Sequence, residues 1–248
     1  DELKREHLIR FYKQYYNSNN CSIVLAGKLP ETIFSLLNKH FGGQDWKANT
    51  PSAEKQFEIK TSSNRIVEVR KEDALQSAIR VGKITIGRSH KDYFGLAILT
   101  TVFGGYFGSR LMANIREDKG YTYGIGASVM ARPHGSYFFV STEVGVEVTQ
   151  AALQEIYHEM QRMMDEPIGK EELETVKNYL LGTFLRSIDG PFALADKFKT
   201  LLTHKLQYEY YHRYLATIKG ISASELQELA NRYYRKEGMI ELVAGKKD

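Results

Sequence analysis

The order of the predicted elements constrains this fold more than any other feature, because β-rich runs come first and amphipathic helices follow. Strands are predicted at residues 56–60, 65–70, 76–86 and 135–144, the last being the second half of a hairpin with its turn at Arg132-Pro-His-Gly135. Helical periodicity predicts helices at residues 1–16, 31–40, 92–103, 147–164, 169–187, near 191–218 and at 222–234. This order predicts an α+β fold, with a mostly antiparallel sheet and helices packed on one face.

The two ends of the chain resemble each other. The segments "YYNSNNCSIVLAGK" and "YYRKEGMIELVAGK" each place Ala-Gly-Lys eleven residues after a tyrosine, from Tyr15 to Ala26 and from Tyr233 to Ala244. Each segment has a helix before a short apolar run, which predicts a buried strand at residues 21–27 and another at residues 239–245. We interpret the match as an internal repeat.

A repeat of this kind predicts how the chain is divided. Residues 1–45 would be the tail of a preceding domain, residues 46–55 a linker without periodicity, and residues 56–248 a complete second domain. The chain starts at Asp1 without a methionine or a signal-peptide pattern, so we expect a fragment of a longer protein.

Composition excludes several classes of function. The chain has 248 residues, 42% of them hydrophobic, and a net charge of only +4 with acidic and basic residues interspersed. That pattern gives no basic face for nucleic acid, and no apolar run approaches the roughly 20 residues of a membrane span. The single cysteine, Cys21, excludes an internal disulfide, and its place in an apolar run predicts an unreactive core thiol.

No self-contained catalytic centre is encoded. None of the seven histidines lies three to five residues from another, and the H-x-x-E-H and G-x-S-x-G patterns are absent. The glycines of Gly104-Gly105-x-x-Gly108 suggest a phosphate-binding loop, but they follow a predicted helix and lack the Gly-Lys-Ser/Thr ending. The sequence therefore predicts no metal site in this chain.

The candidate chemistry lies in "FGGYFGSRLMANIREDKGYTYGIGAS", residues 103–128. One interpretation is structural: Arg116 pairs with a neighbouring carboxylate, and Tyr123 is a half-buried strand aromatic. The other rests on the glycines around the tyrosine, which weaken a strand unless another backbone approaches it. An extended peptide docked there could accept hydrogen bonds from a guanidinium and a phenol.

At these residues the chain resembles the pitrilysin-like zinc metallopeptidases, the M16 or inverzincin family. The family stretch "GG-x-x-(G/S)-SRL-x-x-x-(I/L)RE-x-x-G-x-x-Y" corresponds here to "GGYFGSRLMANIREDKGYTY". The segment "FYKQYYNSNNCSIVLAGKLPETIFSLLNKHFG" is similar to the end of the family's zinc-bearing half. The resemblance implies the M16 metallopeptidase-like (LuxS/MPP-like) fold and the C-terminal, non-zinc half.

The resemblance also implies roles for individual residues. Tyr123 would bind the scissile carbonyl as its oxyanion develops, and Arg116 would hold the substrate backbone. The substrate would lie against Gly120, Tyr121, Gly124 and Gly126.

The implied partners are a peptide or unfolded polypeptide and a zinc-bearing domain, in the same protein or on another chain, with zinc bound there. Nucleic acid and membrane are not expected partners, and a soluble protein of the bacterial cytoplasm or periplasm is expected. The alternative is a non-catalytic scaffold subunit in an M16 heteromer. On either interpretation, this chain alone is predicted to be inactive.

Overall fold

The computed structural model describes residues 2–47 and 58–246, which fall into two compact units. The second unit, residues 58–186 and 201–248, contains a five-stranded sheet in the order β1-β5-β2-β4-β3. Its strands are β1 (Ile66–Arg70), β2 (Gln76–Thr85), β3 (Ile125–Arg132), β4 (Gly135–Gly145) and β5 (Ile240–Gly245). Only the β1–β5 pairing is parallel, so the predicted, mostly antiparallel α+β fold is confirmed.

Most strands of this unit lie where the local sequence patterns predicted them. Arg132 pairs with Gly135 across the predicted hairpin turn, which puts β3 at the edge of the sheet beside β4. The strand predicted at residues 56–60 is the exception in this unit. Its first two residues lie outside the described part of the chain, as do residues 48–55 of the predicted linker, and residues 58–60 form no strand.

Helices cover one face of this sheet. They are α3 (Tyr93–Thr100), α4 (Thr149–Asp165), α5 (Lys170–Arg186), α7 (Glu209–Gly220) and α8 (Ala223–Tyr233). Alternate residues of β2 and β4, such as Ile79 and Phe138, are buried beneath them, whereas Ile84 and Tyr137 on the other face are 44% and 40% exposed. Most of the buried apolar side chains form one large core, and a smaller second cluster consists of Tyr93, Phe94, Ala131, Leu201 and Tyr210. Removal of this apolar surface from water supplies most of the stabilisation.

Two details show how the helices are fixed. Helix α8 starts with the predicted capping box, in which the Glu225 amide donates to Ser222 Oγ at 3.2 Å and the Ser222 amide donates to Glu225 Oε2 at 2.9 Å. At its other end, Tyr234 is buried with its ring 5.0 Å from that of Phe103, and its hydroxyl donates to Thr100 Oγ1 at 3.1 Å.

The first unit comprises residues 1–57 and 187–200. It contains α1 (Arg5–Tyr15), α2 (Ile33–Phe41) and most of α6 (Gly190–Thr203). Among its described residues only Asn17 is buried: Asn17 Nδ2 donates to the Gln14 carbonyl at 3.0 Å, and its Oδ1 accepts from the Asn19 amide at 3.1 Å. Apolar faces of all three helices are exposed.

The predicted buried strand at residues 21–27 is wrong, and so is the predicted core thiol. Residues 21–27 form no strand, and Cys21 is exposed. The segment has the apolar, β-branched composition of a strand, but no other described segment pairs with it. A strand is stable only when its backbone groups have a partner strand, so composition alone did not determine the outcome here.

Candidate functional site

The stretch singled out by sequence is irregular helix followed by a loop. After α3 the chain continues as a π-helical segment, Thr101–Gly105, then turns and forms a second one, Met112–Asp118. The amide of Lys119 donates to the carbonyl of Asn114 at 3.0 Å, which is the five-residue spacing of a π-turn. The loop 119–124 then leads into β3. Such π-turns are uncommon and are frequently found at functional sites.

The glycine at position 104, one of those that suggested a phosphate-binding loop, is required by packing alone. A Cβ at this position would lie 2.7 Å from the backbone nitrogen of Ala127 and 2.9 Å from Leu111 Cδ1. The helical backbone therefore passes directly against β3, which only glycine permits. This position serves packing and leaves no space there for a phosphate group.

Arg116 lies near the end of the second π-helical segment, with 34% of its side chain exposed. Its guanidinium carbon is 4.8 Å from the ring centroid of Phe107, an aromatic side chain that is itself 64% exposed. The Nη1 atom is 3.8 Å from Glu117 Oε1, so Arg116 forms the ion pair with a neighbouring carboxylate that the structural interpretation expected, at a distance too long for a hydrogen bond. The contact with Phe107 thus orients the guanidinium, while the Glu117 contact occupies none of its donors.

Tyr123 is 94% exposed and precedes β3. The structural interpretation of it as a half-buried strand aromatic is wrong. The loop beside it is nevertheless fixed: the Thr122 hydroxyl donates to the Glu143 carbonyl at 2.7 Å and accepts from the Gly124 amide at 3.1 Å. Thr142 Oγ1 donates to the Gly124 carbonyl at 3.0 Å. The Tyr123 hydroxyl group is therefore exposed, on a loop whose backbone is held by hydrogen bonds.

The other predicted site residues surround this loop. Gly120 has φ +67°, a left-handed conformation that favours glycine, and no heavy atom lies within 4 Å of a Cβ placed on it or on Gly124. Gly126 lies in β3, where an added Cβ would be 3.5 Å from the Gly104 carbonyl oxygen. Tyr121 is half-buried and packs against the main core. The space beside Gly120 and Gly124 is thus open, and Tyr121 anchors the loop.

Sequence reasoning missed Thr122, Phe107 and Asn114. Thr122 stands between the two tyrosines but bonds to Glu143, twenty-one residues away along the chain. The Phe107 contact with Arg116 crosses a turn. Only the position of Thr122, directly between the candidate residues Tyr121 and Tyr123, offered a signal in the sequence.

No metal site is present in the part of the chain that the structure describes: no three His, Cys, Asp or Glu side chains come together to hold an ion there. Across residues 2–47 and 58–246, no helix has both the length and the apolar character needed to cross a membrane. Fold and site together define an α+β domain with exposed hydrogen-bond donors on an ordered loop and, within those residues, no metal ligands of its own.

Comparison with known proteins identifies the family. The family model described as "Peptidase M16 inactive domain" matches residues 2–180, so the chain belongs to the peptidase M16 family and corresponds to this domain. It is 23% identical over 186 residues to the "Uncharacterized zinc protease YmxG" of Bacillus subtilis, covering 75% of this chain and 44% of the relative. It is 25% identical over 188 residues to the "Non-peptidase homolog YmxG" of Helicobacter pylori, covering 73% and 42%.

Solved structures show the same fold. The crystal structure of a peptidase M16 inactive domain from Pseudomonas fluorescens superposes with a TM-score of 0.81 at 18% identity, covering 100% of this chain and 59% of that one. The predicted membership of the M16 family, and the assignment to its C-terminal half, are thereby confirmed. The chain spans under half the length of the two curated relatives, one named a protease and the other a non-peptidase.

Proposed function

We propose that this chain is the substrate-holding half of an M16-type zinc endopeptidase acting on peptides. Tyr123 carries the proposal, because a phenol that is 94% exposed on a hydrogen-bonded loop contributes little to folding. Arg116 supports it as a second donor in the same connecting segment, because Phe107 orients the guanidinium and the ion pair with Glu117, at 3.8 Å, takes up none of its hydrogen-bond donors. The family's zinc protease relatives support a peptidase context.

The chemistry of these groups suits a peptide backbone. A tyrosine O–H donates one hydrogen bond, and a guanidinium donates several from a planar fork, so both bind carbonyl oxygens. A phenol placed at the scissile carbonyl would form a stronger bond as charge develops on that oxygen, which lowers the barrier. Gly120 and Gly124, which have open space in place of side chains, would let an extended chain approach closely.

The described residues do not fit a zinc ion, so zinc is expected on another domain or chain. Domain boundaries follow from this proposal: residues 1–45 would complete the zinc-bearing half, residues 46–55 would link the two, and residues 56–248 would form the substrate-holding domain.

The test is Tyr123→Phe in the protein that includes the zinc-bearing half. Loss of one oxyanion donor costs about 3–4 kcal/mol, so kcat should fall by about 100-fold or more. The unfolding midpoint should stay unchanged because exposed substitutions alter stability by less than about 0.5 kcal/mol. Tyr179→Phe, a 39% exposed tyrosine on α5, is the matched control and should retain full turnover.

A scaffold function is the second candidate, since one relative is named a non-peptidase homolog. A scaffold subunit requires neither the Tyr123 hydroxyl nor the Arg116 guanidinium as a hydrogen-bond donor. Normal turnover of Tyr123→Phe and of Arg116→Ala, each with an intact fold and an intact association with the zinc-bearing half, would favour the scaffold and reject substrate holding.

A further inference from the structure

The segment that carries Arg116 is tied to helix α4 by a polar network. Asn114 Nδ2 donates to Glu159 Oε1 at 2.7 Å and to Glu155 Oε2 at 3.0 Å. Lys119 Nζ contacts Glu155 Oε1 at 3.3 Å. The two carboxylates lie one helical turn apart on α4. Asn114 is the third residue of the π-helical segment, and Lys119 directly follows its last residue. Arg116 is between the two attachment points, Asn114 and Lys119.

A glutamate is unusual at position 159 of α4, because the side chain there is buried. It is only 1% exposed, and carboxylates are rarely buried unless they are paired. Here Asn114 and Arg162 supply the partners, with Arg162 Nη1 at 3.0 Å and 3.3 Å from its two oxygens. An apolar residue would fill such a site at less electrostatic cost, so the carboxylate points to a requirement for a directed contact.

Glu155 makes the second contact. Its partial burial alone would raise the pKa of this carboxyl, but hydrogen bonds from Asn114 and Lys119 outweigh that and hold the pKa below its ordinary value. The carboxylate therefore stays charged at neutral pH, and its contact with Lys119 persists there.

The backbone between Asn114 and Lys119 forms the π-turn. Asn114 contributes its side chain to α4 and its carbonyl to Lys119, and the amide of Tyr121 donates to the Ile115 carbonyl at 3.0 Å. A π-turn sets each following side chain at a different angle around the axis from that in an α-helix. The direction of the Arg116 side chain therefore depends on this turn being held.

We propose that Asn114, Glu155 and Glu159 are positioning residues, which hold the π-turn so that Arg116 meets the substrate backbone. This inference rests on the proposed function for the role of Arg116. Its structural part, that the network maintains the turn at residues 114–121, stands on the contacts alone.

The disrupting variant is Asn114→Asp, which keeps the size of the side chain but replaces its donors with a third carboxylate. Asn231→Asp is the matched control, because Asn231 Nδ2 also binds the α4 end, at the Met164 carbonyl at 2.9 Å, without contacting the π-segment. The double variant Asn114→Asp/Glu159→Gln exchanges acceptor and donor and should restore the 114–159 hydrogen bond.

The first measurement is amide hydrogen exchange in this chain alone. Asn114→Asp should speed exchange at residues 115–121 by about tenfold or more, with exchange in the five-stranded sheet unchanged, and the double variant should recover part of the protection. The control should leave these amides unchanged. Unaltered exchange in Asn114→Asp would overturn the positioning role, whatever the activity of the protein.

The second measurement is kinetic, with the zinc-bearing half present. A displacement of about 1 Å costs about 100-fold in rate, so kcat/KM should fall in Asn114→Asp and recover in the double variant. If Asn114 acts through Arg116, adding Asn114→Asp to Arg116→Ala should cause little further loss, because coupled sites are not additive. Fully additive losses would overturn the coupling, whereas normal turnover of Arg116→Ala would instead overturn the proposed function.

Discussion

The contact between Gly104 and β3 gives a prediction whose size follows from the structure. In Gly104→Ala, the new methyl would lie 2.7 Å from the Ala127 nitrogen, 2.8 Å from its Cβ and 2.9 Å from Leu111 Cδ1. The first of these is backbone inside a strand and cannot rotate away, so the π-helical segment must shift. Overpacking of this kind costs about 1–3 kcal/mol. In a domain of this size, each kcal/mol lowers the thermal midpoint by about 2–4 °C.

Thermal and urea unfolding of the chain measure this loss. Gly220→Ala is the control, because Gly220 ends α7 with no heavy atom within 4 Å of an added Cβ. It should leave stability unchanged or raise it by up to about 1 kcal/mol. If Gly104→Ala unfolds at the same midpoint as the unsubstituted chain, the added methyl group is accommodated without cost, and the packing explanation for this glycine is refuted.

Two further predictions concern the loop and the acid stability of the fold. Gly120→Ala should destabilise the chain by about 1–2 kcal/mol in urea unfolding, because φ +67° places a Cβ against the carbonyl, whereas Gly124→Ala, without positive φ, should cost clearly less. For Asp92, burial would raise the pKa, but hydrogen bonds from Tyr233 and Arg232 lower it below the ordinary 3.8. Because the folded pKa is the lower one, its contribution to stability is present above pH 3.8 and is lost as pH falls. Unfolding free energies from pH 6 to pH 2 should therefore fall less steeply in Asp92→Asn, and parallel curves for the two proteins would contradict this assignment.

Most of the second unit could be predicted because its signals are local. The hairpin turn at residues 132–135 and the capping box at Ser222 each depend on residues within a few positions of one another. The π-turns were not predicted, since residues 101–105 continue the apolar spacing of α3, and the close approach of Gly104 to Ala127 involves a strand that lies 23 residues further along the chain.

In the candidate site, too, some residues could be predicted from the sequence and others could not. Arg116 and Tyr123 stand out in the sequence through the glycines and the family stretch, and the structure places both at least partly exposed. Their supports could not be predicted, because the partners of Asn114 lie 41 and 45 residues away on α4. A carboxylate on an amphipathic helix predicts a solvated face, and only the tertiary contact makes Glu159 a buried partner.

The match between the two ends of the chain leads to the last prediction. Cys21 is six residues after Tyr15, as Met239 is after Tyr233, yet Met239 is 3% exposed and Cys21 is exposed. The difference is that β5, which follows Met239, lies between β1 and β2, while residues 21–27 have no strand neighbour in the described chain. If the zinc-bearing half supplies that neighbour, as the proposed domain division requires, the thiol becomes buried.

Thiol labelling tests this burial, since Cys21 is the single cysteine. The chain alone should react rapidly, and the zinc-bearing half should slow the reaction by more than about tenfold, because a buried thiol reacts only when the site opens. A Ser224→Cys probe on the exposed face of α8, in a Cys21→Ser background, should react equally in both states. Equal labelling of Cys21 with and without the other half, when the two are bound, would show that residues 21–27 do not enter its sheet.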